Sequence, residues 1–307
     1  YNALSVASRA ISTFSPLPAF SGIKIDAKED CLILTGSDSD VSIQTKLTKS
    51  EECVLEIRDM GSIVIEAKYI LEIVRKIDAD EIEFEMIDGS LTKISGNTAE
   101  FRINGMRANE YPAIDFSKPK ECFALKEETL KKVILQTSFA TSDKETRPVL
   151  TGVNFHCEGN TLHCVATDSY RLAKKTIDIS ESLNFNITIP AKSLSEVVKT
   201  LEGEGEVEIA VNDKKAQFII HDTIVQTRLI DGVYPETSRL IPLQFDYELT
   251  IDSRDLLNAI DRASFIKNDG VSVIKFSLSE QECVLSSKSV EVGSSTEVLS
   301  SASFTGS

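Results

Sequence analysis

The sequence lacks the features that would place it in a membrane or an export pathway. None of its apolar runs approaches the roughly 18–20 residues that a membrane-spanning helix needs. No basic segment followed by an apolar one stands at the beginning, so no signal peptide is expected. The six cysteines include no Cys-x-x-Cys pair and are too few for a disulfide framework in 307 residues. We therefore expect reduced cysteines in an intracellular protein.

Catalytic motifs are also missing. The chain contains only three histidines, no Gly-x-Ser-x-Gly sequence and no glycine-rich phosphate loop. Ser169 follows Asp168 directly, and the candidate bases for a hydrolase are His163 and His221. That alternative requires one of the two histidines to lie within hydrogen-bond reach of Ser169. The sequence favours a protein that is not an enzyme.

Two His-Cys pairs resemble half of a zinc site. His156-Cys157 and His163-Cys164 flank the turn 158–160, and both residue types bind zinc. Neighbouring residues of a strand point to opposite faces, so only one member of each pair could reach a shared site. A tetrahedral site would then lack two ligands. We interpret the segment as a hairpin with incidental His and Cys, and expect neither metal nor cofactor.

The composition is that of a soluble globular protein, with 41% hydrophobic and 26% charged residues. A length of 307 residues is enough for two or three domains. The net charge of −15 argues against nucleic-acid binding only if the charge is spread uniformly. It does not exclude a local basic lining.

Three stretches with a helical pattern indicate one unit repeated three times. They span residues 2–12, 128–139 and 254–265, and the second aligns with the third at an offset of 126 residues. A second signature, residues 65–77, recurs 124 residues later at 189–201, with Ala-Lys and a Glu in register. Each copy of that signature is predicted to be a strand that ends in a short helix. Alternating apolar residues after each helix indicate a return to the sheet.

A third repeated feature suggests where the units end. Tyr111-Pro112 and Tyr234-Pro235 lie 123 residues apart, and proline cannot donate to a sheet ladder. We therefore predict that each pair ends the last strand of its copy. The predicted domains span residues 1–117, 118–243 and 244–307.

The third copy is predicted to be incomplete. It has a helix and strands around residues 272–288, but no Ala-Lys helix and no closing strands before Ser307. Residues 300–307 are therefore not expected to close a core. The chain also begins in what reads as the middle of a helix, so we expect the natural N-terminus to lie upstream of Tyr1.

Basic residues gather on the predicted helices although the chain is acidic. In the short helices at 68–76 and 192–199 they outnumber the acids, and Lys68 matches Lys192 in the repeat. The alternative is ordinary helix surface charge, but recurrence favours a shared face that contacts phosphates without reading sequence. The candidate DNA-facing cations are Arg9, Lys68, Arg75, Lys132, Lys192, Lys199 and Arg262.

The middle copy contains an elaborated segment, Ala166–Ala173, after an apolar strand. The equivalent segment of the first copy begins with Gly36–Ser39. It continues with Asp40-Val41-Ser42, where the middle copy has Tyr170-Arg171-Leu172. In the ordinary interpretation, the Tyr and Arg side chains simply cover the core. Such side chains at a domain junction also suit a groove that holds the apolar anchors of a peptide.

These segments resemble the bacterial DNA polymerase III beta subunit, the sliding-clamp family. The resemblance is carried by Ala166–Ala173, Glu145–Val153, Asp231–Pro235 and Ala259–Ser264. It extends from end to end and includes the threefold repeat. Among clamps, those of Gram-positive bacteria are the most similar.

The resemblance implies an α+β fold of three repeated clamp domains, each with antiparallel sheets outside and two helices inside, the third incomplete here. It implies a non-catalytic processivity factor, two copies of which close head-to-tail into a ring around duplex DNA. The implied partners are double-stranded DNA, the replicative polymerase, the clamp loader, other clamp-binding replication and repair proteins, and a second copy. The implied location is the bacterial cytoplasm, at the nucleoid.

The resemblance also implies a hydrophobic pocket between the second and third domains that receives short peptide motifs. Its residues, transferred by motif, are Leu150, Thr167, Ser169, Tyr170, Arg171, Leu172, Pro235, Arg239 and Leu240. The C-terminal strand that also lines this pocket in the family is absent from the sequence. Phe14 stands where relatives can have a basic residue, so that DNA contact is not transferred. A peptide-binding scaffold that does not encircle DNA remains the rival interpretation.

Overall fold

The structure, a computed structural model, describes residues 1–12, 17–51 and 53–306. Its contacts group into two compact units, Tyr1–Tyr234 and Pro235–Ser307, which are described separately below. Phe14 lies outside the described residues. None of the described helices is both long and apolar enough to cross a membrane.

The described residues form five α-helices. These are α1 (Asn2–Ser8), α2 (Ala67–Lys76), α3 (Glu127–Thr137), α4 (Ala191–Thr200) and α5 (Ser253–Ser264). The strands of the first unit are β1 (Gly22–Ala27), β2 (Cys31–Ser37), β3 (Val41–Thr48), β4 (Gly61–Glu66), β5 (Glu83–Met86), β6 (Leu91–Gly96), β7 (Ala99–Asn104), β8 (Met106–Arg107), β9 (Glu121–Lys126), β10 (Gly152–Thr167), β11 (Leu172–Pro190), β12 (Glu206–Val211), β13 (Lys215–Ile220) and β14 (Thr223–Arg228). Those of the second unit are β15 (Glu248–Thr250), β16 (Ile274–Leu278), β17 (Cys283–Ser289), β18 (Gly293–Val298) and β19 (Ser303–Thr305).

One antiparallel sheet runs through both repeats of the first unit. Its nine strands follow the order β8-β4-β1-β2-β3-β14-β13-β12-β9. The two repeats meet where β3 pairs with β14, with Thr45 opposite Thr223. Their hydroxyl oxygens lie 2.9 Å apart in a buried hydrogen bond. This junction was not predicted, because strand pairing between residues so far apart leaves no local pattern in the sequence.

Two smaller sheets complete the first unit: β5-β6-β7 and the long pair β10-β11. The rings of His156 and His163 lie 6.4 Å apart, although seven residues of extended strand span roughly 23 Å. Strand β10 therefore bends back on itself near Gly159, where φ is +63°. The predicted turn is thus present as a bend within one strand.

Each repeat of the first unit packs its two helices on its own core. In the first repeat, α1 and α2 bury Leu4, Ala7 and Ile70. Helix α1 lies so close to β2 that a Cβ on Gly36 would stand 2.1 Å from the Ala7 carbonyl oxygen. In the second repeat, α3 and α4 contribute Leu130, Val133, Ile134, Leu194 and Val197 to the largest cluster. Each buried Leu, Ile or Val side chain among these stabilises the fold by about 1.5–3 kcal/mol.

The helices differ slightly from their predicted ranges. Helix α1 ends at Ser8, earlier than the predicted residue 12. Helix α3 ends at Thr137 and continues as a 3-10 turn over Ser138–Ala140. The Thr137 hydroxyl donates to the Val133 carbonyl at 2.7 Å, which occupies an acceptor of the last turn.

The prediction that Tyr-Pro pairs end strands is wrong in both copies. Strand β8 ends at Arg107 and a 3-10 turn separates it from Tyr111, whose ring packs edge-on against Phe20. Strand β14 ends at Arg228, well before Tyr234. Both tyrosines are held by tertiary contacts, so their shared sequence position reflects packing and not a ladder end.

The second unit contains a small core of its own. Its sheets are β16-β17-β18 and β15-β19. Leu285 and Leu299 are buried with Ala259 and Ala263 of α5. The strands of this unit extend beyond the predicted residue 288, since β18 and β19 form and β19 pairs with β15. Phe304 of β19 stacks on Tyr247 and so gives the last strand an apolar anchor.

Candidate functional site

The middle turn, residues 167–171, is held by its own hydrogen bonds. The Thr167 hydroxyl donates to the Arg171 carbonyl at 2.7 Å and accepts from the Ser169 amide at 3.1 Å. Asp168 Oδ1 accepts from the amides of Tyr170 at 2.9 Å and Arg171 at 3.0 Å. Ser169 takes the left-handed conformation, with φ of +77°. A short turn with this many internal bonds presents its side chains in a fixed arrangement.

Arg171 is held from two sides. Its Nε lies 3.1 Å from Asp168 Oδ2, and its guanidinium carbon lies 5.5 Å from the ring centre of Phe139. The backbone amides that Asp168 accepts lower the pKa of this carboxyl below its ordinary value. The role of Phe139 could not be predicted from the sequence, because a contact between residues 32 positions apart has no local signature.

The candidate pocket residues of the first unit differ in exposure. Tyr170 is 94% exposed, and Ser169 and Arg171 are exposed beside it. Leu172 is half-buried, whereas Thr167 and Leu150 are buried. Leu150 lies in a 3-10 turn over Pro148–Thr151, directly before β10 begins. The Thr167 hydroxyl stabilises the turn from within, and Tyr170 and Arg171 form its accessible surface.

Tyr234 ties the middle turn to the end of the first unit. Its hydroxyl oxygen accepts from the Thr167 amide at 3.0 Å, and burial raises the pKa of the phenol. The remaining candidates, Pro235, Arg239 and Leu240, belong to the second unit and are exposed there. Their contribution to a peptide pocket stays a prediction.

The candidate DNA-facing cations lie on the outer faces of the helices. The lysines and arginines at 68, 75, 132, 192, 199 and 262 have more than half of their side chains exposed. Arg9 instead donates to the Lys199 carbonyl at the end of α4, at 2.7 Å. That contact joins the two repeats and supplies a partner for a helix-end carbonyl.

Each of these exposed cations is paired with a carboxylate. Sequence analysis found the cations but not this pairing. The pairs are Lys68–Glu66 (2.6 Å), Arg75–Glu72 (2.5 Å), Lys132–Glu128 (2.6 Å), Lys192–Asp38 (3.3 Å), Lys199–Glu196 (2.8 Å) and Arg262–Glu297. Exposed pairs of this kind are weak, so the cations remain available to a competing anion.

The alternative sites do not assemble. His163 Nδ1 lies 3.0 Å from the Thr176 hydroxyl, and His221 Nε2 lies 3.2 Å from Glu127 Oε1. Within the described ranges, no hydrogen bond joins Ser169 to either histidine. The hydrolase geometry is therefore not formed.

The two His-Cys pairs do not form a metal site either. Cys157 and Cys164 are fully buried on the core side of β10, and no cluster of three or more metal-ligating residues occurs in the described part of the chain.

Three family models match successive parts of the chain. They are the N-terminal domain of the DNA polymerase III beta subunit over residues 1–115, its central domain over 124–236 and its C-terminal domain over 238–307. The chain belongs to the beta sliding clamp family. The predicted family and fold class are thereby confirmed, and so is the function of a DNA sliding clamp, a non-catalytic processivity factor in DNA replication.

Individual clamps are similar over most of their length. The beta sliding clamp of Bacillus subtilis is 39% identical over 95% of this chain and 79% of its own length. That of Staphylococcus aureus strain Mu50 is 37% identical over 93% of this chain and 77% of its own. The crystal structure of the B. subtilis clamp superposes with a TM-score of 0.95 at 35% identity, covering 99% of this chain and 82% of that one. The beta subunit of Streptococcus pyogenes gives 0.93 at 30%, with 100% and 82% covered.

Proposed function

We propose that this sliding clamp encircles duplex DNA as a head-to-tail dimer, with the outer faces of its helices towards the DNA. The supporting observation is the exposed cationic face that α2 and α4 repeat, with Lys68 and Lys192 at matched positions. The other candidate DNA contacts are Arg9, Arg75, Lys132, Lys199 and Arg262. Contacts to phosphate alone suit a protein that must hold any sequence while moving along it.

The test of the DNA face is the double variant Lys68→Glu with Lys192→Glu. We expect weaker association with duplex DNA, less loading and a shallower dependence on salt, because two phosphate contacts are lost. A matched control, Lys118→Glu with Lys174→Glu, makes the same change of net charge away from the helices. Loading and salt dependence equal to those of the control would rule out the assignment.

We further propose that the middle turn binds short peptide motifs of the replicative polymerase, the clamp loader and other clamp-binding replication and repair proteins. Tyr170 and Arg171 supply a large amphipathic surface on a rigid turn, which is typical of residues that dominate binding energy. A solved clamp from Pseudomonas aeruginosa, 22% identical in sequence, is described as bound to griselimycin, and at that distance it supports the shared fold alone. Leu150, Thr167, Ser169 and Leu172 would support the site, with Pro235, Arg239 and Leu240 contributed from the segment that leads into the third domain.

Exposed apolar side chains support the dimer. Phe84, Met86 and Phe101 are exposed on the β5-β6-β7 sheet, and Phe265 is exposed after α5. Clusters of this kind on a folded surface mark protein contacts.

We propose domain boundaries near residues 117 and 243. The exposed side chains of the β5-β6-β7 sheet then belong to the first domain and Phe265 to the third. The expected site of action is the bacterial cytoplasm, and the mass of the protein in solution tests the dimer.

A further inference from the structure

An acid one turn before a base recurs on the two short helices. Glu72 Oε1 lies 2.5 Å from Arg75 Nη2, and its Oε2 lies 2.7 Å from Lys76 Nζ. In the repeat, Glu196 Oε1 lies 2.8 Å from Lys199 Nζ. The two glutamates occupy equivalent positions, 124 residues apart. The pairing is therefore part of the repeated unit and not an accident of one helix.

Helix stability does not account for Glu196. Its side chain is 13% exposed, and its Oε2 atom is buried with no hydrogen-bond partner among the described residues. A carboxylate oxygen that leaves water without a partner costs folding free energy. An ion pair between residues three apart on a helix stabilises it only slightly. The position thus carries a cost that its ion pair with Lys199 does not offset.

These acids affect any phosphate that approaches the helices. A phosphate oxygen must displace the carboxylate from Arg75 or Lys199 before it can take that carboxylate's place. A cation that is already neutralised also gains less from the release of counterions, which supplies most of the affinity for DNA. The resident carboxylates therefore lower both the affinity and its salt dependence.

We propose that Glu72 and Glu196 keep the affinity of α2 and α4 for duplex DNA low, so that the helices hold the phosphate backbone without arresting movement along it. The ligand is the sugar-phosphate backbone of a duplex of any sequence. This inference rests on the proposed DNA-facing role of the two helices and adds residues that oppose binding to those that support it.

The test compares Glu72→Gln with Glu196→Gln, made together, against the wild-type protein. Binding of a short fluorescent duplex is measured by anisotropy over a series of salt concentrations. We expect the affinity at low salt to rise about fivefold, because each removed carboxylate competes weakly with phosphate for its cation. The slope of log affinity against log salt is expected to steepen by about one to two.

A matched control separates position from net charge. Glu56 and Glu208 form ion pairs with Arg58 and Lys118 away from the helices. Replacing both with glutamine gives the same net charge, and the DNA affinity is expected to stay near that of the wild type. A rise of the same size in the control would overturn the proposal, because net charge alone would then be responsible.

The outcomes also separate this inference from the proposed function. If Lys68→Glu with Lys192→Glu leaves DNA binding unchanged, the DNA face itself is wrong. If that variant binds more weakly while the two glutamine substitutions change nothing, only the role of the glutamates fails. Thermal unfolding gives a further check, since the glutamine variant is expected to be at least as stable as the wild type. A loss of stability with unchanged DNA binding would assign the glutamates a purely structural role and overturn the proposal.

Discussion

Two turns of this clamp share one backbone conformation and present different side chains. The first turn, residues 37–41, repeats the hydrogen bonds of the middle turn, residues 167–171. In each, a hydroxyl at the first position donates to the fifth carbonyl, at 3.0 and 2.7 Å, and an aspartate at the second accepts from the fourth and fifth amides. The serine at the third position has φ of +85° in the first turn and +77° in the middle one.

The surroundings of the two turns differ. In the first turn, the Asp40 carbonyl accepts from the Arg228 amide at 2.9 Å, and Val41 is buried opposite Thr227 in the sheet that joins the repeats. In the middle turn, the corresponding residues are Tyr170 and Arg171, and both are exposed. The same backbone therefore serves to join two repeats in one copy and to present a surface in the other. Specialisation lies in two side chains, and the fold does not change.

The largest expected effect is a loss of stability when the first turn is disrupted. Asp38→Ala removes the acceptor of two amides and the partner of Lys192 at 3.3 Å. We expect the free energy of unfolding to fall by about 1–3 kcal/mol, because two backbone amides lose a charged acceptor at the junction of the repeats. Denaturant unfolding measures the change. The matched variant Asp168→Ala is expected to cost less stability, since Tyr170 and Arg171 are exposed where Val41 of the first turn is buried in the sheet. An equal or greater loss there would contradict the comparison.

A smaller effect concerns the support of Arg171. Phe139→Ala removes the ring that lies 5.5 Å from the guanidinium carbon. We expect peptide binding to weaken by about 0.5–1 kcal/mol, the range of an exposed cation–π contact. Calorimetric titration with a polymerase-derived peptide measures it. Leu135→Ala is the control, since that exposed side chain precedes Phe139 by one helical turn; an equal loss in both variants would show that the contact to Arg171 is not what matters.

The smallest effect tests whether the backbone conformations of the two turns are equivalent. Ser39→Gly and Ser169→Gly each place at a positive φ the residue that adopts it most readily, and each adds freedom to the unfolded chain. We expect changes in unfolding free energy below about 1 kcal/mol, of the same sign in both variants. Thermal or denaturant unfolding of the two variants side by side checks this. Opposite signs would indicate that the two backbones differ.

The features that the sequence predicted well are local or repeated. Helices α2 and α4 could be located because Ala-Lys, Glu and the following base recur in register over 124 residues. The middle turn was identified because Tyr170-Arg171-Leu172 departs from the first copy.

The features that could not be predicted depend on distant contacts. The pairing of β3 with β14 and the approach of Phe139 to Arg171 join segments that share no sequence pattern. The ion pairs of the cationic helices depend on side-chain directions, and Lys192 finds Asp38 across the junction of the repeats. Tyr111 was placed in a strand because proline follows it, whereas its packing on Phe20 decides its position.

The most direct test of the account exchanges the two exposed side chains of the middle turn for those of the first. Tyr170→Asp with Arg171→Val keeps the backbone hydrogen bonds of the turn and removes the surface proposed to bind peptides. Titration with a polymerase-derived clamp-binding peptide is predicted to show a loss of at least about 1–3 kcal/mol of binding free energy, with unfolding close to that of the wild type. Unchanged peptide affinity in a folded variant would contradict the claim that the middle turn is the binding surface.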